Sequence, residues 1–388
     1  MPKIHCLNNI SSYGTDQLPA DYELTDQINE ATGILVRSAA MHDMEFGPQL
    51  LAIARAGAGV NNIPLERCAE EGIVVFNTPG ANANAVKELV IASMVMASRN
   101  LIASVNWCID NADDPDIAKS VESAKKAFAG SEIMGKKLGV IGLGAIGARV
   151  ARAAIDLGMQ VYGCDPYVSV DAAWNIDTRV NHISKMEDIY KSCDFITVHV
   201  PALDSTKGML GKDAFAIMKP GAVVLNFSRD TLVDEEAMAA ALEDGTVSHY
   251  ITDFATPAVM KMKNVTVTPH LGASTEEAED NCAFMAVKEL VDYIENGNIS
   301  NSVNYPAVTL GSAEADGGRL AVLHKNVPNM VGQITNILGE NGANIANMVN
   351  ASRGDYAYTL IALDKPAEKS FVEAICAIGD VIRVRLVK

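Results

Sequence analysis

Two sets of residues in this 388-residue chain have the types and spacing to do chemistry. The first is Gly142-Leu143-Gly144-Ala145-Ile146-Gly147, a GxGxxG that follows the apolar run Leu138–Ile141 and opens a helical pattern through Ile146, Val150, Ala154 and Leu157. Glycines at this spacing let the backbone turn tightly and bring the free N–H groups of a helix N-terminus against a pyrophosphate. Asp165 ends the next strand-like run, eighteen residues after Gly147. A carboxylate there accepts hydrogen bonds from ribose hydroxyls and repels a 2′-phosphate. Pro166 follows it and no Arg stands adjacent, so the loop is expected to bind NAD rather than NADP. The second set is Arg229 and His270, which close the runs AVVLNFSR and NVTVTPH. Strand carboxyl ends form the ligand crevice of an open parallel sheet. A guanidinium there can grip a carboxylate with two prongs and polarise a carbonyl. An imidazole can exchange a hydroxyl proton while hydride moves to a nicotinamide. His199, at the end of another such run, is expected to pack beside the cofactor.

The elements that must position these residues alternate. IHCL (4–7), ILVRS (34–38), LAIARAG (51–57) and IVVFNT (73–78) read as strands, and 84–100 reads as a helix with one buried stripe. A second series opens at 136–142 and continues through 161–165, 194–200, 222–228, 249–254 and 264–270. Both are βα series with parallel sheets. A long helix is expected from about Thr275 to Glu295, with Ser274 and Glu277 as a capping box and Gly297 at its end. Residues 110–132 are polar and weakly patterned and read as a connection. The last seventy residues have the order βαββαβ of a ferredoxin-like module. The fold class is thus α/β: two Rossmann-like or flavodoxin-like domains plus that C-terminal module. The expected division is a substrate domain from 1–99 and 285–310, a nucleotide domain from 100–284, a linker at 311–316 and the module at 317–388. The active site would lie in the cleft between the two larger domains.

Composition excludes several alternatives. Forty-eight acidic against 31 basic side chains, a net charge of −17, leave no basic surface for sequence-independent nucleic-acid binding. No apolar run reaches the ~18–20 residues of a membrane span, and the N-terminus lacks a signal peptide's apolar stretch. Seven scattered cysteines without CxxC argue against a disulfide framework or a zinc site, so no metal is expected and the reduced cytoplasm is the natural compartment.

The motifs carry a family resemblance. GLGAIG with Asp165, HVPALDSTKGML (199–210), MKPGAVVLNFSR (218–229) and TPHLGASTEEAE (268–279) resemble the D-isomer-specific 2-hydroxyacid dehydrogenases. VRSA (36–39), RAGAGVNNIPLE (55–66) and VVFNTPGANANAVKEL (74–89) are similar to their 3-phosphoglycerate dehydrogenase branch, and the C-terminal module resembles the ACT regulatory domain many of those enzymes carry. The resemblance spans nearly the whole chain and is weakest at 101–135 and the linker. It implies NAD-dependent oxidation of 3-phosphoglycerate to 3-phosphohydroxypyruvate, the first step of L-serine biosynthesis. Arg229 would bind and polarise the substrate, and His270 would donate or accept the proton. Asp253 would contact the nicotinamide amide, with Phe227 and Ser228 lining the same pocket. Thr78, Gly142, Gly144, Ala145, Ile146, Gly147, Asp165, His199, Val200, Pro201, Gly272 and Ala273 would touch NAD. Arg37, Ser38, Arg55, Gly57, Ala58, Gly59 and Asn77 would receive the carboxylate and phosphate. In the module, His324, Asn326 and Asn344 match positions that hold L-serine, usually across a two-fold interface. A homodimer is implied, which ACT pairing would extend to a homotetramer.

One departure stands out. The family usually places a Glu between the nicotinamide Asp and the catalytic His, and residues 254–269 contain neither Asp nor Glu. Two other readings therefore stay in view: another D-2-hydroxyacid oxidoreductase, such as a hydroxypyruvate or glyoxylate reductase, and a non-catalytic NAD sensor like the C-terminal-binding protein corepressors. Asn329 also stands where the ACT pattern usually has Gly after Pro, and Asn tolerates the same backbone region.

Overall fold

The computed structural model describes residues 1–313 and 318–387, apart from the Asp171 side chain. It divides into two compact units, 1–82 with 276–388, and 83–275. These boundaries differ from the expected 99/100 and 284/285. The helix Ala83–Arg99 buries Val86, Val90 and Met94 among Leu138, Val140, Val150 and Leu225, so it opens the second unit. The helix Glu276–Asn296 lies wholly in the first.

In the first unit, β1 (Lys3–Cys6), β2 (Glu23–Leu24), β3 (Gly33–Val36), β4 (Ala52–Arg55) and β5 (Val74–Asn77) form a parallel sheet ordered β2-β1-β3-β4-β5. β3 is buried at all four positions, which explains its continuous apolar run: such strands are covered on both faces. The helix Glu276–Asn296 sets Ala286, Val287, Leu290 and Tyr293 into this core. It starts two residues after Ser274, whose hydroxyl is 3.5 Å from the His270 carbonyl; at the other end Gly297 adopts φ 73° and its N–H reaches the Tyr293 carbonyl. Beyond it, the Asn304 side chain takes the Val75 N–H and donates to the Ile73 carbonyl, satisfying an edge of β5.

The second unit holds β6 (Lys137–Ile141), β7 (Gln160–Cys164), β8 (Asn181–His182), β9 (Phe195–Val198), β10 (Ala222–Asn226), β11 (Val247–Thr252) and β12 (Val265–Val267). They form one parallel sheet in the order β12-β11-β10-β9-β6-β7-β8. A helix, Leu101–Asp110, precedes the stretch 110–132 expected as a connection, and that stretch carries a second one, Ile117–Ala124. Every residue of both helices is at least partly exposed, Leu101, Ile102, Val105 and Ile109 among them. The apolar residues of Leu101–Asp110 thus line an outer face and not a core, while Ile117, Val121 and Ala124 of the second helix are half-buried.

β13 (Gly318–Lys325), β14 (Ile345–Arg353), β15 (Tyr356–Leu363) and β16 (Val381–Leu386) make the antiparallel C-terminal sheet, ordered β14-β15-β13-β16, with helices Met330–Glu340 and Lys369–Cys376 on one face. Asn329 opens the first helix at φ 65°, the left-handed region expected of it. The other face does not hang on a linker. Ala321, Leu323, Tyr356, Tyr358 and Leu360 share a core with Phe76, Tyr293 and Tyr305 of the first unit. Tyr358 donates to the Gly297 carbonyl (2.6 Å), Tyr356 to Glu66 (2.6 Å), Arg353 to the Ser302 carbonyl (2.7 Å) and Arg385 to the Ile294 carbonyl (2.9 Å). Of the expected linker, 314–316 lie outside the described residues, as do 317 and 388 of the module; Gly311 turns at φ 69° and its carbonyl accepts from Asn298 and Arg319.

Candidate active site

In the second unit the glycine loop leaves β6 at Ile141. Gly142 has φ 89°, and a Cβ there would overlap the His199 carbonyl; one on Gly147 would overlap the Gly142 carbonyl. A Cβ on Gly144 would meet no described atom within 4 Å. The outer glycines are thus required by protein packing, whereas the middle one faces open space. Gly144 precedes the helix Ala145–Asp156, which has no side-chain cap among the described residues, leaving a positive dipole end for an anion. Asp165 follows β7, and its carboxylate accepts the N–H groups of Leu143 (2.8 Å) and Tyr167 (2.9 Å). Those two bonds hold it against the loop with acceptor capacity to spare.

His199, Val200 and Pro201 follow β9. The His199 Nε2 is 3.0 Å from the Thr197 hydroxyl, while its buried Nδ1 has no partner among the described residues. The residue is half-buried overall, yet the ring is enclosed, and burial pushes its pKa down to about 4. The imidazole is therefore neutral at pH 7.

Arg229 is held by a residue that sequence reasoning passed over. Asn226, fully buried at the end of β10, donates to the Arg229 carbonyl (2.8 Å) and accepts the Ser228 N–H (3.1 Å). The Ser228 hydroxyl then donates to the Val198 carbonyl of the neighbouring strand (2.7 Å), Phe227 turns into the core, and Arg229 Nη1 donates to the Ser228 carbonyl (2.6 Å). An amide ending the otherwise apolar run AVVLN was the available signal.

Asp253 follows β11 and is 2% exposed. Its carbonyl takes the His270 N–H (2.9 Å) and its Oδ2 the Gly272 N–H (2.9 Å), so one residue ties down the His270–Ala273 turn. Its Oδ1 is buried and has no partner among the described residues. Burial raises the Asp253 pKa, opposed by the Gly272 N–H and by the charges of His270 and Arg229. His270 adopts φ 51°, and its ring packs on Phe254, centroids 5.1 Å apart and tilted 57°. Within this unit no carboxylate forms an ion pair with His270 among the described residues.

In the first unit, the Asn8 Oδ1 accepts three successive N–H groups, from Arg37, Ser38 and Ala39 (2.9, 3.0 and 3.1 Å). Arg37 Nη2 pairs with Glu279 Oε1 at 2.7 Å. Arg55 donates through Nε to the Arg37 carbonyl (3.1 Å), and its guanidinium lies over Gly57, where a Cβ would overlap it. Thr78 is buried: its hydroxyl accepts the Gly57 N–H (2.7 Å), and Asn77 donates to the Ala58 carbonyl (2.6 Å). The loop 57–59 is thus set by Asn77 and Thr78. Asn8 and Glu279 were not read from the sequence.

The three C-terminal candidates do not converge within one chain. His324 is 2% exposed, with Nδ1 2.8 Å from the Lys325 carbonyl and Nε2 2.9 Å from the Thr359 hydroxyl. Asn326 donates to the Gly354 carbonyl (3.0 Å). Lys325 and Arg353 both pair with Tyr356, whereas Ile345 and Gly318 both pair with Leu363. Asn344 therefore sits at the opposite end of the sheet from His324, roughly 20 Å away at the rise of a strand.

Known proteins match the chain on several fronts. Residues 91–272 match the model of the D-isomer specific 2-hydroxyacid dehydrogenase NAD binding domain. The D-3-phosphoglycerate dehydrogenase of Haemophilus influenzae is 30% identical over 379 residues, 94% of this chain and 88% of that protein. The chain belongs to the D-isomer specific 2-hydroxyacid dehydrogenases. The Escherichia coli K12 D-3-phosphoglycerate dehydrogenase is 32% identical to this dehydrogenase, over 94% of it and 89% of the relative. The crystal structure of NAD+-bound 3-phosphoglycerate dehydrogenase from Entamoeba histolytica superposes on it with a TM-score of 0.62 at 26% identity, covering 80% of this dehydrogenase and 99% of that chain. The residues present fit NAD on their own evidence: an uncapped helix N-terminus behind Gly144, the loop-anchored carboxylate of Asp165, and a buried Asp253 oxygen left to accept from an amide.

Proposed function

We infer that the protein oxidises 3-phospho-D-glycerate to 3-phosphohydroxypyruvate with NAD+, opening L-serine biosynthesis. Bound NAD+ supplies the hydride acceptor. The pyrophosphate is assigned to Gly142, Gly144, Ala145, Ile146 and Gly147, the ribose to Asp165, and the carboxamide to Asp253, flanked by His199, Val200, Pro201, Phe227, Ser228, Gly272 and Ala273. Arg229 grips the substrate carboxylate and polarises the C2–O bond. As the C2 hydrogen leaves with its electron pair, the hydroxyl proton passes to His270. Arg37, Ser38 and Arg55, with Asn77 and the backbone at Gly57, Ala58 and Gly59, are assigned the anionic groups of the substrate. Thr78 is assigned to NAD, and its hydroxyl also holds the Gly57 N–H.

The observation that carries this reading is the anchoring of Arg229 and His270, through Asn226 and Asp253, at the carboxyl ends of adjacent strands in the unit that matches the NAD binding model. The test is absorbance at the NADH band with NAD+, 3-phosphoglycerate and a trap for the keto acid. Turnover is expected in the wild type, and a loss of roughly a hundred- to a thousandfold in Arg229→Ala and His270→Ala, in line with removing a charge-stabilising and a proton-transfer group. D-lactate or D-glycerate turning over better than 3-phosphoglycerate would move the assignment to another hydroxy acid. No turnover in either direction with NAD bound would favour a sensor.

The same reading makes the protein a cytoplasmic homodimer or homotetramer. Among the described residues no single helix is long and apolar enough to cross a membrane. The exposed apolar positions of Leu101–Asp110 offer a face for a second copy. L-serine is assigned to His324, Asn326 and Asn344 supplied by two copies, because one chain keeps them at opposite ends of its sheet. A rise in melting temperature with serine checks this.

A further inference from the structure

The reaction assigned above asks the His270 imidazole to keep one orientation while a proton moves, and residues 254–269 offer no carboxylate to hold it. The backbone is fixed without one. The His270 N–H reaches the carbonyls of Asp253 (2.9 Å) and Thr268 (3.0 Å), and φ of 51° sets the direction in which the side chain leaves. What remains free is rotation of the ring, and among the described residues its ring contact is with Phe254, at 5.1 Å and 57°.

Phe254 is well placed to restrain it. Its N–H donates to the Thr252 hydroxyl (3.2 Å), which donates to the Asn226 carbonyl (2.8 Å), and Asn226 also holds Arg229. Arg229 and the aromatic neighbour of His270 are thus both linked to one buried residue, Asn226, the first through its side-chain amide and the second through its backbone carbonyl. Phe254 lines a closely packed hollow with Val233, Met238, Tyr250, Val259 and Met262, which Asp230, Glu235 and Thr256 also border. Glu235, an acid on the same hollow, is engaged by the Thr256 hydroxyl at 2.5 Å.

We propose that Phe254 is the positioning residue for His270, taking over by ring packing the orienting task that the family usually gives to a Glu. The proposal rests on the assignment of His270 as acid/base. An aromatic partner restricts the imidazole through tilted packing and adds no charge beside it. The charges of His270 and Arg229 both act on the Asp253 carboxyl, and the acids Asp230 and Glu235 lie on the hollow that Phe254 lines.

The test uses the full-length protein with NAD+ and 3-phosphoglycerate. Phe254→Leu keeps an apolar side chain against the hollow but removes the ring. It is expected to lower kcat roughly tenfold while KM for both substrates and the melting temperature hold. Phe254→Tyr keeps the ring and is expected to retain wild-type kcat. The second readout needs no turnover. In histidine-labelled protein the His270 ring resonance, identified by its loss in His270→Asn, should carry a ring-current shift that disappears in Phe254→Leu and persists in Phe254→Tyr. Wild-type kcat in Phe254→Leu, or a His270 resonance that Phe254→Leu leaves unmoved, overturns the proposal. Turnover surviving in His270→Asn instead overturns the acid/base reading beneath it, whatever the resonance shows.

Discussion

The two units prepare their polar groups in opposite ways. In 83–275, groups assigned to the cofactor lack protein partners among the described residues: Asp253 Oδ1 and His199 Nδ1 are buried and unmatched, and Gly144 faces open space. In 1–82 with 276–388, the corresponding groups already have internal occupants. Arg37 is paired with Glu279, and His324 is bonded through both ring nitrogens to Lys325 and Thr359. An unmatched buried acceptor lowers the stability of the free protein and returns that free energy on binding. A group with an internal partner must first give it up, so its ligand competes. The first arrangement favours binding of the dinucleotide, while the second makes the hydroxy acid and the effector compete with an internal partner.

The largest expected effect separates packing from binding within the glycine loop. Gly147→Ala places a Cβ on the Gly142 carbonyl and should abolish NADH binding while lowering stability by about 1–3 kcal/mol. Gly144→Ala meets no described atom, so its melting temperature should match the wild type while NADH titration shows weaker binding. Wild-type affinity in Gly144→Ala would break the contrast, because the open side of the loop would then carry no phosphate. Next in size, Asn226→Ala removes the amide that sets the backbone at Ser228 and Arg229. Two lost bonds at a buried group amount to about 2–3 kcal/mol, or roughly a hundredfold in kcat/KM, with NADH binding retained.

The units should also respond to pH with opposite slopes. Burial holds the His199 pKa down at about 4, below its ordinary 6.5. The unfolded chain then takes up the proton first, so the nucleotide unit keeps this contribution above pH 6.5 and loses it as pH falls toward 4. Glu289, 8% exposed, accepts from Asn301 through one oxygen and leaves the other unmatched among the described residues, and burial raises its pKa from 4.5 to about 7. Here the folded chain holds the proton longer, so the first unit keeps its contribution below pH 4.5 and loses it as pH rises through 7. Each is worth at most about 3 kcal/mol from the shift. Melting temperatures from pH 4 to 8 should rise with acid in the neighbourhood of Glu289 and flatten in Glu289→Gln. An unchanged profile in that variant would show that the carboxyl does not titrate there.

How far the sequence could be read follows the same divide. Asp165, Arg229, Asp253 and His270 each stand at a strand end, one position or a few past an apolar run, where local pattern announces them. Asn8 reaches the Arg37 loop across 29 positions of chain, and Glu279 meets Arg37 across a still longer separation, so no local pattern marks either. The module's fold was legible from its alternation, but its burial against Tyr293 and Tyr305 was not, since an inward-facing Tyr356 or Tyr358 looks the same whether it meets helices, solvent or another sheet. The helices at 101–110 and 117–124 were missed although Leu101, Val105 and Ile109, and Ile117, Val121 and Ala124, recur at helical spacing; none of these positions is fully buried, and the charged and amide residues between them mask the period.

The smallest effect tests the internal occupant itself. Arg37 and Glu279 are 38% and 43% exposed in their side chains, and a pair so placed is worth about 0.2–1 kcal/mol. A phosphate or carboxylate arriving at Arg37 must displace the Glu279 carboxylate and overcome its repulsion. Glu279→Gln keeps the shape and removes the charge, so KM for 3-phosphoglycerate should fall by up to about fivefold, while kcat and KM for NAD+ stay put. The gain should shrink as salt is added, because exposed charges are screened. A rise in KM would reverse the interpretation. Glu279 would then be aiming the Arg37 guanidinium and not competing for it, and the first unit would be as prepared for its ligand as the second.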